Sequence, residues 1–501
     1  MAARRKVLTL DSVNPHVKGT RLPTLGPLLE RASQIQRQLG HRCLPGEEKP
    51  FREVIWCHSR DPHAAGRGPI TFLRQVAAIC AYPELLHADS VPWDAEQRAS
   101  RILPELHSSS AGAYNMEYVT AAIPQRVARY LERRDGGIRC DPSVTESLGD
   151  ALELLPMKPD FLSLVVNEQD PGRAGMLLPV PGHPLYADAV ALAGAIGVQY
   201  HLDEEGGWVL DVGEIRWVLG QARGYCTPKV LCVINPGYPT GQVVSRRHLQ
   251  DVLHLAAQER LLLLADEVHQ DSVFTLDSPF LSFKRVLCEL GPAVSSVVQL
   301  ISFYSASKGF AAEGGFWAGF FEPVNIDPAI MKCFCSWGMS VYPLILGQVL
   351  LDALMEPPLP GDPSCRTFMA EKQAVLSDLA HKAQLTQEIF SPLPGIRCNP
   401  VQSTVYSFPR IQIPARAVQE AQALGLEPDF SSVRSCWRRR GSCWPQGAPS
   451  GSAGAPTMSE ASPMNQALRR RLLQSRALLY PCTGAIREGG APAGTSRPIC
   501  I

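Results

Sequence analysis

From about Gly175 to Pro323 the chain alternates short apolar runs with helical repeats, and few folds accept that alternation. Val230 to Ile234, Leu261 to Ala265 and Val297 to Phe303 each read as a strand buried on both faces, followed by turn or polar residues. Between the first two, Leu249, Val252, Leu253, Ala256 and Ala257 recur on one helix face, with Ser245 placed to cap it. Asp211 and Glu214 suggest a capping-box-like start for an earlier helix faced by Ile215, Val218, Leu219 and Ala222. Strand, helix, strand repetition predicts an α/β fold with a mainly parallel sheet covered by helices. Ligands of such sheets bind beyond the carboxyl ends of the strands.

With 501 residues, 45% of them hydrophobic, the chain can bury a large core divided between two domains. Lys plus Arg and Asp plus Glu both total 48, so no overall field draws it to nucleic acid or anionic membrane. The apolar segments Leu261 to Ala265 and Ser340 to Met355 are short or broken by Pro343 and Asp352, below the ~18 to 20 residues of a membrane span. Met1 to Leu10 carries Arg4, Arg5 and Lys6 with no long apolar region after them, so no secretory leader is expected and the cytoplasm is the default location. The fifteen cysteines lack zinc or redox spacing and are expected as reduced, mostly buried thiols. Met369 to Leu385 predicts a charged helix, and Thr404 to Phe408 a strand of a second domain. Residues 431–501 are rich in Gly, Pro, Ser, Ala and Arg, a composition expected to be disordered.

Three loop motifs follow three predicted strands: Asn235-Pro-Gly-Tyr-Pro-Thr-Gly241, Ala265-Asp-Glu-Val268 and Ser305-Ala-Ser-Lys308-Gly309. Singly they say little. A lysine like Lys308 is usually a solvated loop residue, Asp266 would more often be a cap or ion-pair partner, and no two histidines show metal-ligand spacing. Together they match what a pyridoxal-phosphate enzyme needs: a lysine to hold the aldehyde and move a proton, and a carboxylate against the pyridinium nitrogen. Lys308 and Asp266 fit those roles, and Ser305 and Ser307 stand where hydroxyls can reach the phosphate.

On these motifs, and on Pro69-Ile-Thr-Phe-Leu-Arg-Gln75, Val127-Ala-Arg-Tyr-Leu-Glu-Arg-Arg-Asp-Gly-Gly137, Leu231-Cys-Val-Ile-Asn-Pro-Gly237 and Asn399-Pro-Val-Gln402, the chain resembles the alanine aminotransferases over roughly residues 5–430. The resemblance implies a fold type I pyridoxal-phosphate transferase, a dimer with itself or a relative, exchanging an amino group between alanine and 2-oxoglutarate. It also implies an N-terminal arm and first part of a small domain over 1–105, a large cofactor-binding domain over 106–330, and the rest of the small domain over 331–430. Asn235, Tyr238, His269, His183 and Tyr114 fall at its cofactor-contacting positions.

Several of those positions differ from the family pattern. Tyr238 replaces an asparagine and His269 a tyrosine, both directed at the cofactor's phenolic oxygen. His183 replaces a ring-stacking tyrosine, and Trp317 an arginine that pairs with the phosphate. Trp317, in an apolar and Gly-rich stretch, is expected to pack. The family's phosphate-cradling turn has Ser147-Leu-Gly149 as its nearest remnant, and the segment with the arginine for the substrate carboxylate has no counterpart in the tail. Two functions follow: an aminotransferase, active or weakened, or an inactive relative serving as a dimerising or binding protein.

Overall fold

In the computed structural model the described residues are Val13 and residues 25–40, 54–55, 62–63, 66–113, 121–141, 146–148, 165–166, 172–338, 344–404, 406–413, 415–423 and 499–500. Seven strands make one sheet: β1 (Glu146–Leu148), β2 (Ala174–Val180), β3 (Ile196–His201), β4 (Thr227–Ile234), β5 (Leu262–Asp266), β6 (Leu300–Ser305) and β7 (Gly319–Val324). Their order is β1-β7-β6-β5-β4-β2-β3. The run from β6 to β3 is parallel throughout, while β7 is antiparallel to both β6 and β1. After β3 the chain crosses to the other side of β2, so the carboxyl ends of β2 and β4 flank a switch point where α/β sheets open a crevice.

The central strands are apolar because both faces are covered: all six residues of β6 are buried, as are the last five of β4. One face packs on the helices Val212–Ala222, Arg246–Glu259 and Phe283–Glu289, the other on Pro184–Leu192. A third core joins the helices Thr71–Ala81, Trp93–Ile102, Ile123–Arg134 and Ile345–Met355 to Tyr304 of β6 and Phe320 of β7. Asp352 is wholly buried there, paired with Arg101 and, at 2.9 Å, with Arg126 Nη1. This cluster spans the boundaries expected at 105 and 330.

Local signals held closely. Ser245 Oγ accepts from the His248 amide at 3.3 Å, and Asp211 Oδ1 from Gly213 at 2.8 Å. Glu214 turns instead to the His201 amide at 3.4 Å, so the capping box keeps only one half. The helix expected over Met369 to Leu385 runs over Cys365–Phe390. Val297 does not open a strand: its amide closes on Val294 after the helical turn Pro292–Ser295, and β6 starts at Leu300.

Two expectations are corrected. Thr404 takes φ +70°, outside extended geometry, and the pairing that forms nearby is Ile396–Arg397 with Arg410–Ile411 rather than a strand over Thr404 to Phe408. The second concerns only the remnant named for the phosphate-cradling turn, whose loss was expected: Ser147 lies in β1 at a sheet edge, paired in antiparallel register with Phe320. Cys80, Cys140, Cys226, Cys232 and Cys398 are buried and form no disulfide among the described residues, and Cys288, Cys333 and Cys365, likewise unbridged, are at least partly open. The tail lies outside the described residues except for Ile499–Cys500, which pairs in parallel with Val54–Ile55.

Candidate active site

The three motifs meet at the carboxyl edge of the sheet. β4 ends at Ile234, in register with Asp266, the last residue of β5, and Asp266 is in register with Phe303 of β6. The main chains are tied there, the Asn235 amide donating to the Asp266 carbonyl at 2.9 Å. Asn235 is fully buried and both ends of its side chain are engaged within the protein, Nδ2 to the Leu281 carbonyl at 3.2 Å and Oδ1 from the Val244 amide at 3.0 Å. It holds the loop that carries Tyr238. The same loop is fastened from the far end of the chain: Gln402 and Ser403 donate their amides to the Gly241 carbonyl, and Gln402 Oε1 accepts from Val243. Gly241 is needed for this contact, since it takes φ +74° and a Cβ there would meet Val401 at 2.6 Å.

Asp266 is 2% exposed, and its carboxylate accepts from the Tyr186 hydroxyl at 2.9 Å and from the Val268 amide at 3.4 Å. Lys308 follows β6 in a turn whose amide reaches the Ser305 carbonyl at 3.4 Å. Its loop is pinned from the N-terminal part of the chain. Arg67 Nη1 donates to the Gly309 carbonyl at 2.9 Å, and Arg74 makes two bonds, 2.7 and 2.8 Å, to the buried carboxylate of Glu313. Ser305 is buried with its Oγ accepting from the Ser307 amide at 3.1 Å, and Ser307 is partly exposed. Among the described residues the Lys308 amine has neither a hydrogen bond nor an ion pair.

Beside that amine stand two histidines. His183 caps the helix Pro184–Leu192, its Nδ1 accepting from the Leu185 amide at 3.2 Å, which leaves the proton on Nε2. Its ring lies 4.6 Å from that of Tyr238, which in turn stacks at 6.1 Å and 6° on His269 and meets Tyr406 edge-on at 4.8 Å. Desolvation first, and the Lys308 charge second, hold His183 down at about 3 although its edge still reaches solvent. His269, 4% exposed, is held at about 3 for the same two reasons, with His183 adding to them. Both imidazoles are therefore neutral near pH 7.

Sequence reasoning named Lys308, Asp266, Ser305, Ser307, Asn235, Tyr238, His269 and His183, and all eight lie on the loops or strand ends at this edge. Tyr114 lies outside the described residues. Tyr186, Tyr406, Arg74 and Glu313 were not singled out. For Tyr186 the signal was present, since it follows His183 by one helical turn. Trp317 does not pack as expected: it ends the turn Gly314–Phe316 with φ +51° and is 38% exposed, while Ala318 beside it fills the core. No cluster of metal-ligating side chains occurs among the described residues.

An amine unpaired among the described residues, beside neutral imidazoles and next to a strand that ends in a tethered buried carboxylate, fits the aldehyde and ring nitrogen of pyridoxal phosphate. The paired serine hydroxyls fit its phosphate. The exposed indole at 317 offers that phosphate no cation.

The family model of aminotransferase class I and II matches residues 162–425. Alanine aminotransferase 2 of Xenopus tropicalis is 48% identical over 427 residues, covering 85% of this chain and 80% of the relative. Human alanine aminotransferase 1 is 47% identical over 431 residues, 85% of each. Among solved structures, alanine aminotransferase from Pyrococcus furiosus superposes with a TM-score of 0.68 over 93% of this chain and 99% of that one, at 17% identity, a likeness of fold.

Proposed function

This chain belongs to the alanine aminotransferase family of the class I and II aminotransferases, and on that premise we propose that it transfers an amino group from L-alanine to 2-oxoglutarate, giving pyruvate and L-glutamate. It is a pyridoxal-phosphate-dependent transaminase by family. The observation that carries the site assignment is the meeting of Lys308 and Asp266 on the ends of adjacent strands, with neutral His183 and His269 beside the amine.

Bound here, pyridoxal phosphate supplies a carbonyl that condenses with amines and a ring that draws electrons from the substrate's α-carbon. Lys308 Nζ would hold that carbonyl and move the proton, with no acidic partner among the described residues competing for it. Asp266 would keep the ring nitrogen protonated. Ser305 and Ser307 would donate to the phosphate, and His183 would take the stacking position. Tyr238, on the loop that Asn235 holds, and His269 would take the positions for the phenolic oxygen. Tyr114 completes the set.

The large domain over 106–330 carries the cofactor, and the small domain is assembled from 1–105 and 331–430. A dimer, with itself or with a relative, and a cytoplasmic location complete the proposal. No helix among the described residues is long and apolar enough to cross a membrane. The inactive, purely binding alternative has no support among the relatives. Catalysis is expected to be slow, because the carboxylate-binding arginine has no counterpart and substrate orientation suffers without it.

Borohydride reduction of protein loaded with pyridoxal phosphate, followed by peptide mapping, tests the centre of this reading. The adduct is expected on the Lys308 peptide. Labelling that persists undiminished in Lys308→Ala would remove Lys308 from its role.

A further inference from the structure

Tyr186 sits in the first turn of the helix Pro184–Leu192, its amide closing on the His183 carbonyl at 3.3 Å. That turn aims its side chain into the core beside β2 and β5, where the whole residue is 2% exposed among Met176, Leu178, Ile234 and Val268. A phenol buried to this degree needs an acceptor for its proton. It finds one in Asp266 Oδ2 at 2.9 Å, a far better bond than the 3.4 Å contact from the Val268 amide.

We propose that Tyr186 is a positioning residue for the reaction: its hydroxyl holds the Asp266 carboxylate ionised and oriented, so that Asp266 can keep the cofactor's ring nitrogen protonated. Hydrogen bonding to a charged carboxylate favours the charged form, whereas burial without it favours the neutral acid. A neutral Asp266 would not hold a pyridinium. The phenol itself stays a donor, because burial and the adjacent carboxylate push its ionisation well above the ordinary range. The Cys232 thiol on β4 faces both groups and is pushed well up by the same burial, so it stays protonated too.

The inference rests on the proposed role of Asp266, and the test separates the two. Holoenzyme of Tyr186→Phe, Asp266→Asn and Tyr200→Phe is compared with the unmodified chain for cofactor dissociation constant and for the pH midpoint of the lysine-bound cofactor's visible band. Tyr200 is the control: it is equally buried, but its hydroxyl donates to the Cys232 carbonyl at 2.8 Å rather than to a carboxylate. Tyr186→Phe is expected to weaken cofactor binding on the order of tenfold. Its spectral midpoint should move in the same direction as that of Asp266→Asn, and Tyr200→Phe should move neither quantity. If Asp266→Asn shifts the midpoint and Tyr186→Phe behaves like Tyr200→Phe, Tyr186 has no positioning role. If Asp266→Asn itself leaves both unchanged, the reading of Asp266 fails and takes this inference with it. Should Tyr186→Phe not fold, a difluorotyrosine at 186, a stronger donor in the same shape, is expected to displace the midpoint the opposite way. No displacement there overturns the inference.

Discussion

Gln402 Oε1 accepts a hydrogen bond from the Val243 amide at 2.8 Å, joining a segment late in the chain to the loop that follows β4. Its backbone also receives the Phe274 amide at 3.2 Å, and its Nε2 reaches Ser278 at 3.1 Å. Gln402 thus ties three segments together, its side chain holding Val243 and Ser278 and its main chain Phe274. Gln402→Ala is expected to lower stability by about 1 to 3 kcal/mol, the range for leaving a half-buried amide unsatisfied. Urea unfolding checks this, and a midpoint equal to that of the unmodified chain would show that the loop is held by the Gly241 contacts alone.

Arg74 and Glu313 form a two-pronged pair in which the Glu313 side chain is 1% exposed and the Arg74 side chain 43%. Removing the cation strands a buried charge, so Arg74→Ala should cost about 2 to 3 kcal/mol, below the full penalty for a wholly buried pair because Arg74 faces solvent. Arg74→Ala combined with Glu313→Gln should recover part of that loss. Additive losses in a double-mutant cycle would mean the two groups act independently.

Two groups should make stability depend on pH with opposite signs, in windows that overlap between 4.5 and 6.5. His269 is held at about 3 against an unfolded value of 6.5, so its contribution is complete above 6.5 and is lost as pH falls from there towards 3. Glu267 is pushed by burial to about 8 against 4.5, so its contribution is complete below 4.5 and is lost as pH rises through 8. His269→Asn should flatten the acid limb of the denaturation midpoint against pH, and Glu267→Gln the alkaline limb. The Glu267 variant retains an acceptor for the Phe283 amide, which Oε1 now serves at 2.7 Å. Unchanged limbs in both variants would place the titration elsewhere.

Trp317→Arg should tighten cofactor binding roughly tenfold to a hundredfold, the worth of a charge-assisted phosphate bond. Pyruvate release from alanine should stay slow, since that arginine does nothing for the substrate's carboxylate. Spectroscopic titration and a pyruvate assay read the two effects apart. Turnover on the order of 10 per second or more in the unmodified chain would mean that another arginine grips the substrate.

Much of this was legible from the residues. Apolar runs as long as Val230 to Ile234 are buried strands because nothing polar interrupts them, and Ser245 and Asp211 cap helices where their spacing says they should. The loop motifs converge because the carboxyl ends of parallel strands share one edge. What stayed illegible depends on distant partners. Asn235 reads as a ligand-facing residue until its amide is seen shared between Leu281 and Val244. The spacing of Tyr186 one helical turn after His183 is legible, but its partner Asp266 is not until the strands are seen side by side. Thr404 to Phe408 alternates like a strand, yet Thr404 takes a positive φ, outside extended geometry.

The core that unites Thr71–Ala81 with Ile345–Met355 bears on how the chain emerges from the ribosome. Phe72, Leu73, Val76 and Ile79 leave the exit tunnel early, but the helix that covers them is translated only after the whole seven-stranded sheet. Until that helix emerges the apolar face is covered only in part, by Trp93–Ile102 and Ile123–Arg134, and stays open to holdase chaperones. A ribosome stalled just before Ile345 should therefore carry a chaperone-bound, protease-sensitive nascent chain, and one stalled well beyond Met355 should not.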